Sequence, residues 1–395
     1  MGAESRDPGG PIKRNTSMNR RGPSTALRPP FHLRFAQDDT LWSFGTPSKN
    51  FASAGVGVPS SLHTMKLLPA LALAAAFTFT PPLRAADGVT YEGKAGPGKG
   101  KHIVFLAGDE EYRSEEALPQ LAKILSQRHG FKCTVLFSIN KQTGEIDPNT
   151  PDNEPGIEAL DSADLCITSL RFRAWPDEQM KHFADYVAAG KPIIGLRTST
   201  HSFNKISGTY KWFNDYGKNV LGERWVSHWG SHKKEATKGI IEDTAKSDPV
   251  LRGVTDIFGT TDVYEAAPPA DAKILVRGQV LKGMTPDTEP ADYKKKLAGG
   301  KDEQGVNDPM MPVVWTRIYN GENGKGNKVL CTTMGAASDL PNEGLRRLLI
   351  NGAYWATGLE VPAKADVIFV GDFQPSMYGF GGFTKGVKPE AHALK

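Results

Sequence analysis

The chain has 395 residues, 39% hydrophobic and 23% charged, enough apolar side chain to bury a sizeable core. Its formal net charge of +4 is small for that length. Part of that excess lies before residue 65 and no dense basic patch follows, which excludes nucleic acid as an expected partner.

Residues 1–64, rich in Pro, Gly, Ser and Arg, have little to bury and are expected to be an unstructured extension, with Met65 as the true start. Met65-Lys66 opens an apolar run from Leu67 to Phe79, and the small residues Ala85-Ala86 follow. A charged start, an apolar middle and a small-residue exit form a secretory signal over 65–86. The run falls short of the roughly 20 apolar residues of a spanning helix. The expected product is periplasmic or secreted, with no stable membrane span after processing. Residues 87–100 read as a linker, 101–360 as one folded domain, and 361–395 as a tail rich in Gly, Pro and aromatic residues.

From His102 strands and helices alternate. His102–Ala107 reads as a strand, and Glu115–Gln127 as a helix with Leu118, Leu121, Ile124 and Leu125 on one face. Strand Phe131–Phe137 follows the turn at Gly130, then a polar excursion from Lys141 to Pro155. Leu165–Thr168 is a third strand, Pro176–Ala189 a helix with Pro176 in its first turn, and Ile193–Leu196 a fourth strand. Residues 201–235 read as long loops and short helices over the sheet edge. Strands at Thr237–Ile241, Lys273–Val280, Met311–Tyr319 and Lys328–Cys331 precede a helix at Asn342–Thr357. This rhythm predicts a doubly wound, mostly parallel sheet in three α/β/α layers. Cys133, Cys166 and Cys331 lie in apolar runs and read as buried small hydrophobes.

Strand exits carry the polar residues. Glu110 follows the first strand, Arg171 and Arg173 the third, and Arg197 and His201 the fourth. At the C-terminal edge of a parallel sheet these positions face a ligand crevice. Glu110 or Glu111 is expected to face Arg113 or Arg197 across it. An arginine directly after Ile193-Ile194-Gly195-Leu196 is costly without a partner. His201 can accept or donate a proton near neutral pH, and the loop carrying His228 is expected to line the pocket and offer that imidazole to substrate. Asp262 and Tyr264 share one side of an extended segment and suit a general acid/base with a hydroxyl donor. Trp229 is a candidate pocket wall, and Trp315 reads as core or pocket wall instead of a chemical participant. His201, His228 and His232 together suggest a three-histidine site for a divalent metal such as zinc, although Gly230 argues against a helix aligning the last two. No metal or cofactor is assigned. No phosphate-binding loop and no Gly-x-Ser-x-Gly elbow occurs.

From His102 to about Gly358 the chain resembles the trehalose-utilisation (ThuA-like) family. The resemblance rests on Ala189-Gly190-Lys191-Pro192-Ile193-Ile194-Gly195-Leu196, His201, Trp212-Phe213 and the run from Gly222 to His228. It continues through Thr261-Asp262-Val263-Tyr264, Pro312-Val313-Val314-Trp315, Gly324 to Val329, Gly335, and Gly344 to Trp355. The resemblance implies a flavodoxin-like fold of the class I glutamine amidotransferase type and a role in carbohydrate metabolism. Arg197 stands where an amidotransferase presents its nucleophilic cysteine, so glutamine hydrolysis does not carry over. Histidines common in relatives are replaced or displaced here, at Arg197 with His201 four residues on, at Asp248-Pro249 and at Gly335-Ala336. The expectation is a hydrolase-type enzyme for a sugar or oxidised sugar, the alternative a non-catalytic carbohydrate-binding envelope protein. Arg171 and Arg197, with Glu110, Trp229 and Trp315, would hold the small carbohydrate ligand. His201, His228 and Asp262 would share proton transfer, and Tyr264 would bind a hydroxyl. The oligomeric state stays open.

Overall fold

Apolar runs bounded by glycine and polar turns become the strands of one large sheet. The computed structural model describes residues 87–394 apart from Lys301 and Glu322; the expected extension (1–64) and secretory signal (65–86) lie outside the described residues. In chain order the elements are β1 (Gly88–Tyr91), β2 (His102–Gly108), α1 (Ser114–His129), β3 (Lys132–Phe137), β4 (Leu165–Leu170) and α2 (Asp177–Ala188). Then come β5 (Ile193–Leu196), β6 (Thr237–Ile241), β7 (Phe258–Gly259) and β8 (Lys273–Val280). The last are β9 (Lys294–Lys296), β10 (Glu303–Gly305), β11 (Met311–Asn320), β12 (Gly326–Thr332) and α3 (Glu343–Thr357).

The ten-stranded sheet has the order β1-β3-β2-β4-β5-β12-β11-β8-β6-β7. Strands β3, β2, β4, β5 and β12 pair in parallel and form the doubly wound block. Numbered within that block the order is 2-1-3-4-5, the flavodoxin-like arrangement. β1 flanks it antiparallel on one side; β11, β8, β6 and β7 extend it antiparallel on the other. The β11–β12 reversal has a physical cause: a short glycine-rich loop can join only antiparallel neighbours.

Strand pleating sends alternate residues to opposite helix layers. Ile103, Phe105, Ile194 and Leu330 pack with Leu118, Leu121 and Ile124 of α1 and Leu345 and Leu348 of α3. Val104, Leu106, Ile193, Val329 and Cys331 pack with Met180, Phe183 and Val187 of α2. All three cysteines are buried and free. Helix ends follow local chemistry. Gly130 closes α1 with φ 82°, its N–H donating to the Leu125 and Ser126 carbonyls. Asn342 accepts from the Leu345 N–H at 2.8 Å and opens α3. Pro176 sits just before α2, one position earlier than expected, and its missing N–H is harmless there too.

The chain leaves β2 toward β3 on one side and returns with β4 on the other. The crevice of this switch point therefore opens at the C-terminal ends of β2, β4 and β5. Among the described residues no helix is long and apolar enough to cross a membrane.

Candidate functional site

The loops leaving these strands hold non-glycine residues in left-handed backbone: Arg113 (φ 60°), Phe172 (φ 51°) and Arg197 (φ 42°). Such conformations cost on the order of 1–3 kcal/mol and persist where surrounding contacts over-determine them. Asp109 supplies some of those contacts. Its Oδ1 accepts from the backbone N–H groups of Glu111 (2.7 Å) and Tyr112 (2.9 Å), and the Thr198 hydroxyl donates to its Oδ2. One buried carboxylate thus ties the β2 loop to the β5 loop.

Arg197 and Asp262 form the centre, both with fully buried side chains and an Nη2–Oδ1 distance of 2.8 Å. Arg197 Nη1 donates to the carbonyls of Asp262 and Thr333, each at 2.7 Å. Its Nη2 also donates to the Tyr112 hydroxyl at 3.1 Å. The guanidinium lies 3.7 Å from the Tyr264 ring centroid and 4.5 Å from that of Tyr112, between two aromatic rings. Burial alone would raise the Asp262 carboxyl. The Arg197 charge and the imidazole hydrogen bonds outweigh it and hold the group well below the ordinary carboxylate range.

Two imidazoles sit on this carboxylate. His228 Nδ1 is 2.7 Å from Asp262 Oδ2, and His232 Nδ1 is 3.1 Å from Oδ1. Pairing of residues 227–230 with 263–265 sets that position: Trp229 N–H donates to Val263 O at 2.7 Å, and Glu265 N–H to Ser227 O at 3.0 Å. Lys295 clamps the turn by donating to the carbonyls of His228 and Trp229. His232 Nε2 lies 3.0 Å from Glu111 Oε1. Burial would lower its pKa, but hydrogen bonds to Asp262 and Glu111 raise it to about 9, so His232 is a cation at neutral pH. The His228 side chain keeps 35% exposure, and its Nε2 makes no hydrogen bond among the described residues.

Above this floor runs a rim of rings. His228 lies 4.6 Å from His232 and 5.7 Å from Trp225, centroid to centroid. Trp225 is 5.5 Å from His201, which is 5.1 Å from Phe172. Phe172 in turn packs on the Arg171 guanidinium at 4.5 Å. Arg171 pairs with Glu110, and Arg173 Nη2 reaches the other Glu110 oxygen at 3.1 Å.

The structure brings Glu110, Arg171, Arg197, His201, His228, Asp262 and Tyr264 to one end of the sheet, and corrects several expected roles. Arg197 is fully buried and spends both terminal nitrogens on protein, so it positions Asp262 instead of holding ligand. Glu110 faces Arg171 and Arg173, while Arg113 lies beside Glu115. Tyr264 is 2% exposed, stacks on Arg197 and donates to the Tyr112 hydroxyl at 3.3 Å. Trp229 and Trp315 line no cleft. Both are fully buried, donating to the Val306 carbonyl and the Leu221 carbonyl respectively. Burial first, and then the charges of Arg171 and Arg197, keep the His201 pKa well below the usual imidazole value, so the ring is neutral. Glu111 was expected to face Arg113 or Arg197 and instead meets His232. Tyr112 and Trp225 were given no role, although Tyr112 follows the first strand closely, the signal that marked Glu110 and Glu111.

The three-histidine set that the sequence suggested is not among the groups of clustered ligand atoms in the described residues. His228, His232 and Asp262 are the group that places ligand atoms within 4.8 Å of one another among the described residues. Both Asp262 oxygens already accept hydrogen bonds, one from the permanently charged Arg197. A cation such as zinc held by the two imidazole Nδ1 atoms would replace their hydrogen bonds to Asp262.

The His232 shift has a sign. Its folded pKa lies above 6.5, so its contribution to stability is complete below about pH 6.5 and is lost as pH rises through about 9. Asp262 acts oppositely: its contribution is present above about pH 3.8 and lost as pH falls through its lower folded value. Denaturant melts across pH 6–10 are expected to show a stability decline that His232→Gln flattens. An identical decline in that variant would contradict the assignment.

A family model described as ThuA, trehalose utilisation, matches residues 102–356. Among solved structures the chain is similar to a ThuA-like protein from Parabacteroides merdae, with 16% identity, 67% of this chain and 92% of that one covered, and a TM-score of 0.43. It is also similar to a ThuA-like protein from Bacteroides uniformis, with 16% identity, 67% and 93% coverage, and a TM-score of 0.40. No curated protein matches the chain.

Proposed function

The chain belongs to the trehalose-utilisation (ThuA) family, related to carbohydrate utilisation, and from that premise we propose an exported hydrolase-type enzyme acting on a sugar or oxidised sugar, with His228 transferring the proton. One observation carries this reading. A partly exposed imidazole has one nitrogen 2.7 Å from a carboxylate that is itself fully buried. Asp262 is held ionised by Arg197 and so favours a proton on His228 Nδ1. That leaves the Nε2 lone pair facing outward, the geometry of a base with its orienting group.

The carboxylates support the choice of imidazole. Glycoside hydrolysis by two carboxyl groups needs one that carries a proton to the leaving oxygen. Asp262 is locked by Arg197 and Glu111 faces cationic His232, so neither stands free for that task. His201 is neutral and has Nδ1 3.2 Å from its neighbour Thr200 Oγ1, which suits it to the pocket wall. Arg171 stands at the rim with donors beyond its Glu110 contact, suited to a sugar hydroxyl.

His228→Ala is expected to lower kcat on a sugar turned over by the wild type by about 10²–10⁴-fold, with its thermal midpoint little changed. A few-fold change in kcat would remove the base assignment. Sugars that bind the wild type without turnover would replace the enzyme with a carbohydrate-binding protein. Export rests on the pattern of residues 65–86. Cell fractionation is expected to recover the product outside the cytoplasm, and cytoplasmic recovery would remove that part of the proposal.

A further inference from the structure

The C-terminal segment does more than pack on the domain. Beyond the residues 102–356 matched by the family, the chain buries Val361, Ala365 and Val367 in the main core and then lies along residues 111–116, which follow β2. Ser376 anchors it, with its N–H and hydroxyl donating to the Glu116 carboxylate at 2.8 Å and 2.5 Å. Tyr378 is 3% exposed and stacks on Tyr112 at 5.1 Å, with its hydroxyl donating to the Thr260 carbonyl at 3.1 Å. Gly379 N–H donates to the Glu111 carbonyl at 2.8 Å, and Arg113 donates to the Gly379 carbonyl. Gly382 lies against the Arg113 guanidinium, where a Cβ would collide.

These contacts complete the rim. From His228 it runs to His232, and His232 lies 5.5 Å from Tyr378. Two residues on, the Phe380 ring is 4.9 Å from the Arg171 guanidinium, whose other neighbour is Phe172 at 4.5 Å. Through Phe172, His201 and Trp225 the circuit returns to His228. Without residues 378–380 it stands open between His232 and Arg171. Phe380 is the unusual member. It is a large apolar side chain left 55% exposed, yet Arg171 backs it and a hydrogen-bonded backbone holds it in place. Ordering it on ligand binding therefore costs little.

We propose that residues 376–383 form a wall of the ligand cleft and that Phe380 is a platform for the C–H face of a pyranose ring, with Arg171 hydrogen-bonding the hydroxyls at its edge. This rests on the sugar-active reading above and names the contact that selects the substrate. Aromatic packing of this kind is worth about three- to tenfold in affinity.

The test is titration calorimetry of wild type, Phe380→Ala and Phe380→Trp with trehalose and maltose, followed by steady-state kinetics on whichever is turned over. Phe380→Ala is expected to weaken binding and raise KM about three- to tenfold, with kcat and its pH profile unchanged because His228 is untouched. Phe380→Trp is expected to restore binding. Equal affinity in all three proteins would overturn this inference alone. If the wild type binds neither sugar, the sugar-active reading loses its support and this inference falls with it. The exposed position of Phe380 makes a folding defect a poor explanation for any loss, and matching thermal midpoints check this.

Discussion

A buried charge pair decides what the rest of this site can do. Arg197 and Asp262 have no exposed side-chain surface, and each would be a heavy liability alone. Removing one partner of such a pair typically costs about 3–5 kcal/mol, because it strands the other charge in a poorly solvated place. Here the liability is offset by two tyrosine rings around the guanidinium and by backbone carbonyls that accept its protons. The result is a carboxylate whose charge is fixed and whose remaining lone pairs face two histidines. His228 and His232 take their orientation from that carboxylate.

The two histidines receive different instructions from one Asp. His232 bridges Asp262 and Glu111 and is held as a cation. The His228 side chain hydrogen-bonds to Asp262 alone among the described residues and keeps 35% exposure. One imidazole thus supplies a standing positive charge and the other a lone pair. Arg197 is one of the left-handed residues at the strand exits. Arg197 can reach beneath Asp262 only if the chain turns sharply after β5, and the contacts of its own guanidinium offset the strain.

Much of the fold was legible in the sequence because the apolar runs are long and their boundaries chemically marked. Gly130, Pro176 and Asn342 each mark a helix end within a residue of where it lies. The ribbon β9–β10 was not legible: Lys294–Lys296 and Glu303–Gly305 have no apolar face to alternate. The site was legible to the level of its strand edge and no further. Residue type marked Arg197, Tyr264, Trp229 and Trp315 as interesting, but the depth of each side chain is set by tertiary packing. Arg197 and Tyr264 turn inward to each other, and both tryptophans fill core. The C-terminal segment was hardest of all. Tyr378 meets Tyr112 and Gly379 meets Glu111 across most of the domain's length, and no local pattern encodes a pairing that distant.

The central claim is that Asp262, fixed by Arg197, dictates the tautomer of His228. Nitrogen-15 NMR of the histidine side chains in the full-length protein reads this directly. The account predicts a neutral His228 ring with its proton on Nδ1 and a bare Nε2. A ring protonated on Nε2, or one exchanging freely between both forms, would contradict it.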